Sequence, residues 1–88
     1  MTRSIALTLV GKPGCHLCDD AREVVAAVRA EVEALADAPA ITFEERDILV
    51  EPDLFDRFAE EIPVVLLDGR VHAYWRIDAA RLKAALLA

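Results

Sequence analysis

The sequence has no tract rich in serine, glycine or glutamine, no internal repeat and no stretch that reads as a linker, so a low-complexity or disordered chain is excluded. Basic residues are scarce: ten lysines and arginines stand against sixteen acids, a formal net charge of -6. A net-negative surface gains nothing from docking against a polyanion, so neither nucleic acid nor an anionic membrane is expected as a partner. A small anionic ligand is not excluded, because charges act over about 8 Å at physiological salt and the local cations Lys12, Arg70 and Arg76 outweigh the total there. The apolar run Ile5 to Val10 follows a single cation, Arg3, is too short for a secretory core and has no small-residue cleavage site after it. A cytoplasmic chain is therefore expected.

What is present is mostly core material. Hydrophobic residues make up 56% of the 88 positions, enough for one packed domain, expected to span residues 1–88. A domain of this size buries roughly 60% of the surface its unfolded chain exposes. A monomer is expected for so small and charged a chain.

The apolar segments follow a readable order. Ile5 to Val10 is apolar nearly throughout, as in an interior strand covered on both faces, and runs into the loop Gly11-Lys12-Pro13-Gly14. From Leu17 to Leu35 the residues Leu17, Ala21, Val24, Val25, Val28, Val32 and Leu35 recur at three- and four-residue steps, the stripe of an amphipathic helix. Asp37-Ala38-Pro39 ends it. Ile41 to Asp47 alternates as an edge strand with one wet face would, and Pro52 opens a short helix to about Phe58, with Leu54, Phe55 and Phe58 expected to face inward. Pro63 to Leu67 and Val71 to Trp75 form a hairpin around Asp68-Gly69, and Asp78 caps a last helix that buries Leu82, Leu86 and Leu87. The order β-α-β-α-β-β-α predicts an α/β fold, a four-stranded mixed sheet flanked by helices.

Only two cysteines occur, Cys15 and Cys18, in a C-x-x-C. In a reducing compartment such a pair is catalytic or metal-binding rather than a structural staple, and a disulfide closing so short a loop removes little chain entropy. Its place matters more than its pattern. The pair follows a buried strand and opens a helix, where unpaired N–H groups and the positive end of the macrodipole favour a thiolate over a thiol. Helical phase carries Cys15 away from the apolar stripe and leaves Cys18 at its border. Cys15 is thus the expected nucleophile and Cys18 the partly buried resolving thiol.

A second signal is Ile62-Pro63 at the start of an apolar strand. A proline there withholds a backbone donor and often marks a cis bond, which costs an X-Pro peptide only about 0.5–1 kcal/mol. The bond is expected to be cis and to pack beside the cysteines, leaving the extended backbone of Ile62 to pair with a substrate's main chain.

Lys12-Pro13-Gly14-Cys15-His16-Leu17-Cys18, followed by Ile62-Pro63 and the Asp68-Gly69 turn, resembles the glutaredoxin-like family of small bacterial thioredoxin-fold proteins, from about Ile5 to Leu87. The resemblance implies the thioredoxin fold and a thiol–disulfide oxidoreductase. It also implies Cys15 as nucleophile, Cys18 as resolving cysteine, Pro63 as the cis proline and Lys12 as a partner for a glutathione carboxylate. No bound cofactor is implied, only glutathione as a candidate co-substrate. One stretch departs from the family. Well-studied glutaredoxins carry a glycine pair and then an acid after the hairpin, where backbone N–H groups hold the γ-glutamyl end of glutathione. Here Val71-His72-Ala73-Tyr74-Trp75-Arg76-Ile77-Asp78 has two bulky aromatics and no glycine pair. The partner is therefore expected to be either a disulfide-containing protein, docked on Tyr74 and Trp75, or glutathione, with Arg76 and Asp78 as secondary candidate contacts.

Several residues have plainer readings. His16 points outward by helical phase; protonated, it would favour the thiolate, and otherwise it is a solvated surface histidine. His72 is expected at the surface, Asp19 and Asp20 as solvated acids in an early helical turn, and Trp75 equally as half-buried core. The rival functions are a zinc or iron–sulfur module and a non-catalytic interaction domain. Cys15, Cys18, His16 and His72 could count as metal ligands, but the second C-x-x-C or the paired histidines of structural zinc sites are absent, so no metal is expected. An interaction domain has no need of both thiols beside the proline.

Overall fold

A computed structural model describes residues 3–88. The elements are β1 (Ser4–Gly11), α1 (His16–Glu33), β2 (Ala40–Asp47), α2 (Pro52–Phe58), β3 (Val64–Leu67), β4 (Arg70–Tyr74) and α3 (Ala79–Leu87). The strands form one sheet in the order β2-β1-β3-β4. β1 runs parallel to β2, as the intervening helix requires, and antiparallel to β3, which returns through the hairpin to β4. The order read from the sequence and the mixed four-stranded sheet are both present.

Two clusters of buried side chains sandwich the sheet. On one face Ile5, Leu7, Leu9 and Val65 meet Ala21, Val25, Val28 and Val32 of α1 and Leu82 and Leu86 of α3. On the other, Val10, Val64 and Leu66 meet Ile48 and Phe58, with Leu54 and Ile62 packed against them. Strand alternation explains the partition, since successive residues of β3 serve opposite faces. Burying each large aliphatic side chain contributes about 1.5–3 kcal/mol, and β1, buried almost throughout, is the seam that both clusters share.

The edge character expected for β2 holds: Ile41 and Phe43 pack toward α1 while Thr42 and Glu44 face outward. Three expected core positions do not. Leu35 is exposed because α1 ends at Glu33, so the stripe continues in sequence after the helix has stopped. Phe55 is 48% exposed, since Leu54 and Phe58, four residues apart, hold the inward face of α2 and Phe55 lies one residue off it. Leu87 stands off the Leu82–Leu86 line in the same way and is exposed.

The hairpin turn uses positive φ at both Asp68 (51°) and Gly69 (81°), the backbone twist a two-residue turn needs. Asp68 adds a further tie, accepting a hydrogen bond from the Ala6 N–H at 2.8 Å and so fastening the turn to β1. Between Val65 and Leu66 the β3–β4 register slips by one residue, leaving His72 as the extra residue of a bulge.

Candidate active site

The register brings three chain segments to one end of the sheet. Val10 pairs with Val64, so Gly11 at the end of β1 lies across from Pro63, and the 2.8 Å bond from the Trp75 N–H to the Pro63 carbonyl continues the β3–β4 ladder one step beyond Tyr74. The loop carrying Cys15 leaves from this end. Gly14 turns it with φ 74°, in open space, a conformation glycine adopts without strain.

Cys15 is the N-cap of α1, with extended backbone, and its Sγ accepts a hydrogen bond from the Cys18 N–H at 3.2 Å. Cys15 and Cys18 are joined as a disulfide, their Cα atoms 5.1 Å apart, within the usual span for such a bond. The cap geometry gives the Cys15 sulfur two sources of partial positive charge, a directed N–H and the helix terminus. Cys15 is partly exposed, whereas Cys18 is 1% exposed, more deeply enclosed than a stripe-border position suggests. The reason lies on β1. Gly11 has no side chain, and the space a Cβ would take is occupied by Cys18, whose Sγ would stand 2.9 Å from it.

Ion pairs fix the first turns of α1 against β2. Arg22 donates through Nε and Nη2 to both carboxylate oxygens of Glu45, at 2.7 and 3.1 Å, and through Nη1 to Asp19 at 2.8 Å. These bonds, to Glu45 first and then to Asp19, push the guanidinium's pKa further up from its ordinary value. Asp19 remains the solvent-exposed acid expected in the first turn and in addition pairs with Arg22. The network lies at the surface, and each such pair contributes about 0–1 kcal/mol. Lys12 flanks the same groove, exposed, beside Asp19, Arg22 and Glu45.

The Ile62–Pro63 bond is cis, Pro63 is buried, and Ile62 is half-buried against the α2-side cluster. Trp75 follows β4 with φ 59°, a left-handed conformation rare for a bulky side chain, and is 55% exposed. Its indole Nε1 donates to the carbonyl of Glu60 at 3.2 Å. Arg76 lies beyond it at a small cleft against α1, lined also by Leu17, Asp20, Ala21, Val24 and Ile77. Asp78 is committed elsewhere: its Oδ1 accepts the Arg81 N–H at 3.1 Å and caps α3. His16 is exposed at the start of α1. His72 sits half-buried on β4, and burial, then the nearby Arg81 charge, push its pKa down from the ordinary value.

The sequence-predicted residues Lys12, Ile62, Pro63 and Trp75 therefore gather at the cysteine end of the sheet, and Asp78 serves as a helix cap. Sequence reasoning missed Gly11 and the Trp75–Glu60 bond. Gly11 was legible only as a loop residue, and the bond joins positions 15 residues apart that no periodicity connects.

Comparison with known proteins agrees with this frame. The model of the glutaredoxin-like domain family (DUF836) matches residues 6–87. The uncharacterized protein Rv0508 of Mycobacterium tuberculosis is 36% identical over 76 residues, covering 86% of this chain and 76% of that one. The crystal structure of target protein XcR50 from X. campestris superposes with a TM-score of 0.68 at 33% identity, covering 91% and 93% of the two chains. A mutant thioredoxin from Halobacterium salinarum matches in fold, with a TM-score of 0.62 at 18% identity over 96% of this chain and 73% of its own. With a matching family model across nearly its whole length and thioredoxin-fold neighbours, the chain belongs to the glutaredoxin-like domain family and has a thioredoxin-like fold.

Proposed function

We propose that the chain is a thiol–disulfide oxidoreductase that reduces disulfides of proteins, or mixed disulfides of glutathione, through a Cys15/Cys18 dithiol–disulfide cycle. The observation that carries this reading is the asymmetry of the pair: a partly exposed Cys15 whose sulfur accepts the Cys18 N–H at a helix N-terminus, and a Cys18 buried directly behind it.

The cycle starts from the dithiol. The Cys15 thiolate attacks one sulfur of a substrate disulfide, a new S–S bond forms, and the displaced sulfur leaves as a thiolate that takes a proton from water. Cys18 then loses its proton and attacks the Cys15 Sγ, releasing the second substrate sulfur and closing the Cys15–Cys18 bond. The substrate has gained two electrons and two protons, and the dithiol has lost them. An external thiol or dithiol restores the reduced pair. The short spacing between the two Cα atoms means the second step needs no rearrangement of the helix.

Lys12, exposed beside the loop, supplies a cation for a carboxylate of the substrate, and the Ile62 main chain next to Pro63 supplies an edge for an extended substrate segment. Among the described residues no helix is long and apolar enough to cross a membrane. A reducing cytoplasmic setting fits the proposed direction, because there the glutathione pool keeps exposed dithiols reduced.

The test is reduction of a disulfide-bonded protein such as insulin, with dithiothreitol as the recycling reductant. Wild-type protein is expected to accelerate it, Cys15→Ser to abolish the acceleration while folding normally, and Cys18→Ser to accumulate a mixed disulfide through Cys15 visible by mass spectrometry. Undiminished turnover by Cys15→Ser overturns the mechanism.

A further inference from the structure

Trp75 combines features that core packing does not require. Its side chain is more than half exposed, at 55%, so burial of the indole is not what holds it in place. Its backbone adopts φ 59°, which a glycine would take freely and a bulky side chain resists. Such conformations persist only where the surroundings over-determine them. Two hydrogen bonds do so here. The Trp75 N–H donates to the Pro63 carbonyl at 2.8 Å, and the indole Nε1 donates to the Glu60 carbonyl at 3.2 Å. The tilted Tyr74 ring, with its centroid 6.2 Å away, backs the indole.

These two bonds bracket the segment Glu60-Glu61-Ile62-Pro63 at both ends. Within the bracket, among the described residues, the Glu61 N–H bonds to the Phe58 carbonyl, but neither the N–H nor the C=O of Ile62 takes part in a hydrogen bond. A free main-chain edge on a half-buried residue is the form in which a strand receives a partner, since an extended segment can supply the missing ladder. An edge is a template only while it is held straight, and without the indole bond the Glu60 end would be fixed by α2 alone.

We propose that Trp75 is a positioning residue: by fastening Glu60 and Pro63 from one side chain and its own backbone, it holds the Ile62 main chain as a preformed docking edge and so biases the enzyme toward disulfides carried on extended polypeptide. The inference rests on the thiol–disulfide reading above. It separates substrates by one feature, a peptide backbone next to the reacting sulfur, and a disulfide without such a backbone gains nothing from the edge.

The experiment compares wild-type protein with Trp75→Phe, which keeps a ring and loses the donor, and Trp75→Gly, which relaxes the backbone and removes the ring. Two substrates are used, a disulfide-linked decapeptide and hydroxyethyl disulfide. Loss of a net hydrogen bond is expected to lower the ratio of kcat/KM for the peptide to that for the small disulfide about fivefold in both variants, carried by the peptide KM. Exchange of the Glu61 amide hydrogen, which is bonded to the Phe58 carbonyl inside the bracket, is expected to quicken by a similar factor. An unchanged ratio, or an equal loss on both substrates, overturns the positioning role. If wild-type protein reduces neither disulfide, the oxidoreductase reading fails; exchange then still reads the clamp, and unaltered exchange of the Glu61 amide in both variants overturns that as well.

Discussion

A Cβ built on Gly11 would stand 2.9 Å from the Sγ and 3.2 Å from the Cβ of Cys18, so β1 and α1 meet where only a hydrogen fits. The close approach encloses Cys18 and leaves Cys15 as the sulfur nearer solvent. Gly11→Ala must therefore displace either the strand end or the first turn of the helix, and neither gives easily: the Gly11 carbonyl already accepts the Ile48 N–H at 3.0 Å. Overpacking of this kind costs about 1–3 kcal/mol. The expected outcome in urea unfolding is a loss in that range, and unchanged stability would show that the contact relaxes without consequence.

Once the disulfide is reduced, the same enclosure predicts unequal reactivity of the two thiols. Iodoacetamide is expected to modify Cys15 alone in the folded protein, giving a single adduct by mass spectrometry, because Cys18 is 1% exposed. Cys18 should become reactive in Gly11→Ala if its sulfur is pushed outward. Equal labelling of both cysteines in wild-type protein would remove the asymmetry on which the division into nucleophile and resolving thiol depends.

Why one thiol was readable as outward and the contact behind the other was not illustrates the reach of the sequence. Helical phase, strand alternation and the Asp68-Gly69 turn are local, and each correctly located an element: Ala21, Val25, Val28 and Val32 line the buried face of α1. The position of Cys15 before a helix was legible for the same reason. Leu35, Phe55 and Leu87 were misplaced because apolar character does not report where a helix ends or which of two adjacent residues takes the inward face. The Gly11–Cys18 contact, the bulge at His72 and the Trp75–Glu60 bond depend on how separate segments come together, which no local pattern encodes.

Asp78 is a candidate substrate contact by its place in the sequence and a helix cap by its geometry, and substitution separates the two. If its role is the bond from the Arg81 N–H, Asp78→Ser keeps the cap and retains stability, whereas Asp78→Ala loses about 1 kcal/mol. Both variants should then show the disulfide-reductase KM of the wild type. A raised KM in Asp78→Ser, at unchanged stability, would instead assign the carboxylate to the substrate.

His72 gives a pH dependence whose sign follows from its surroundings. Burial first, and the Arg81 charge second, lower its pKa in the folded chain below the ordinary value of 6.5. Between the lowered folded value and the unfolded one, the unfolded state binds more protons, so stability rises with pH. The histidine's destabilising effect is thus absent above about pH 6.5, grows as pH falls through the unfolded pKa, and levels off below the folded one. Carboxylates titrate at lower pH in the same experiment, so the readout is a difference: the Tm of wild type minus that of His72→Gln, followed from pH 8 to pH 5. This difference is expected to become more negative as the solution is acidified, because only the wild type must hold a charged imidazole in a partly buried position that also feels the Arg81 charge. A difference that stays flat across that range would mean that protonated His72 turns outward to solvent, and that the bulge holding it does not fix its side chain.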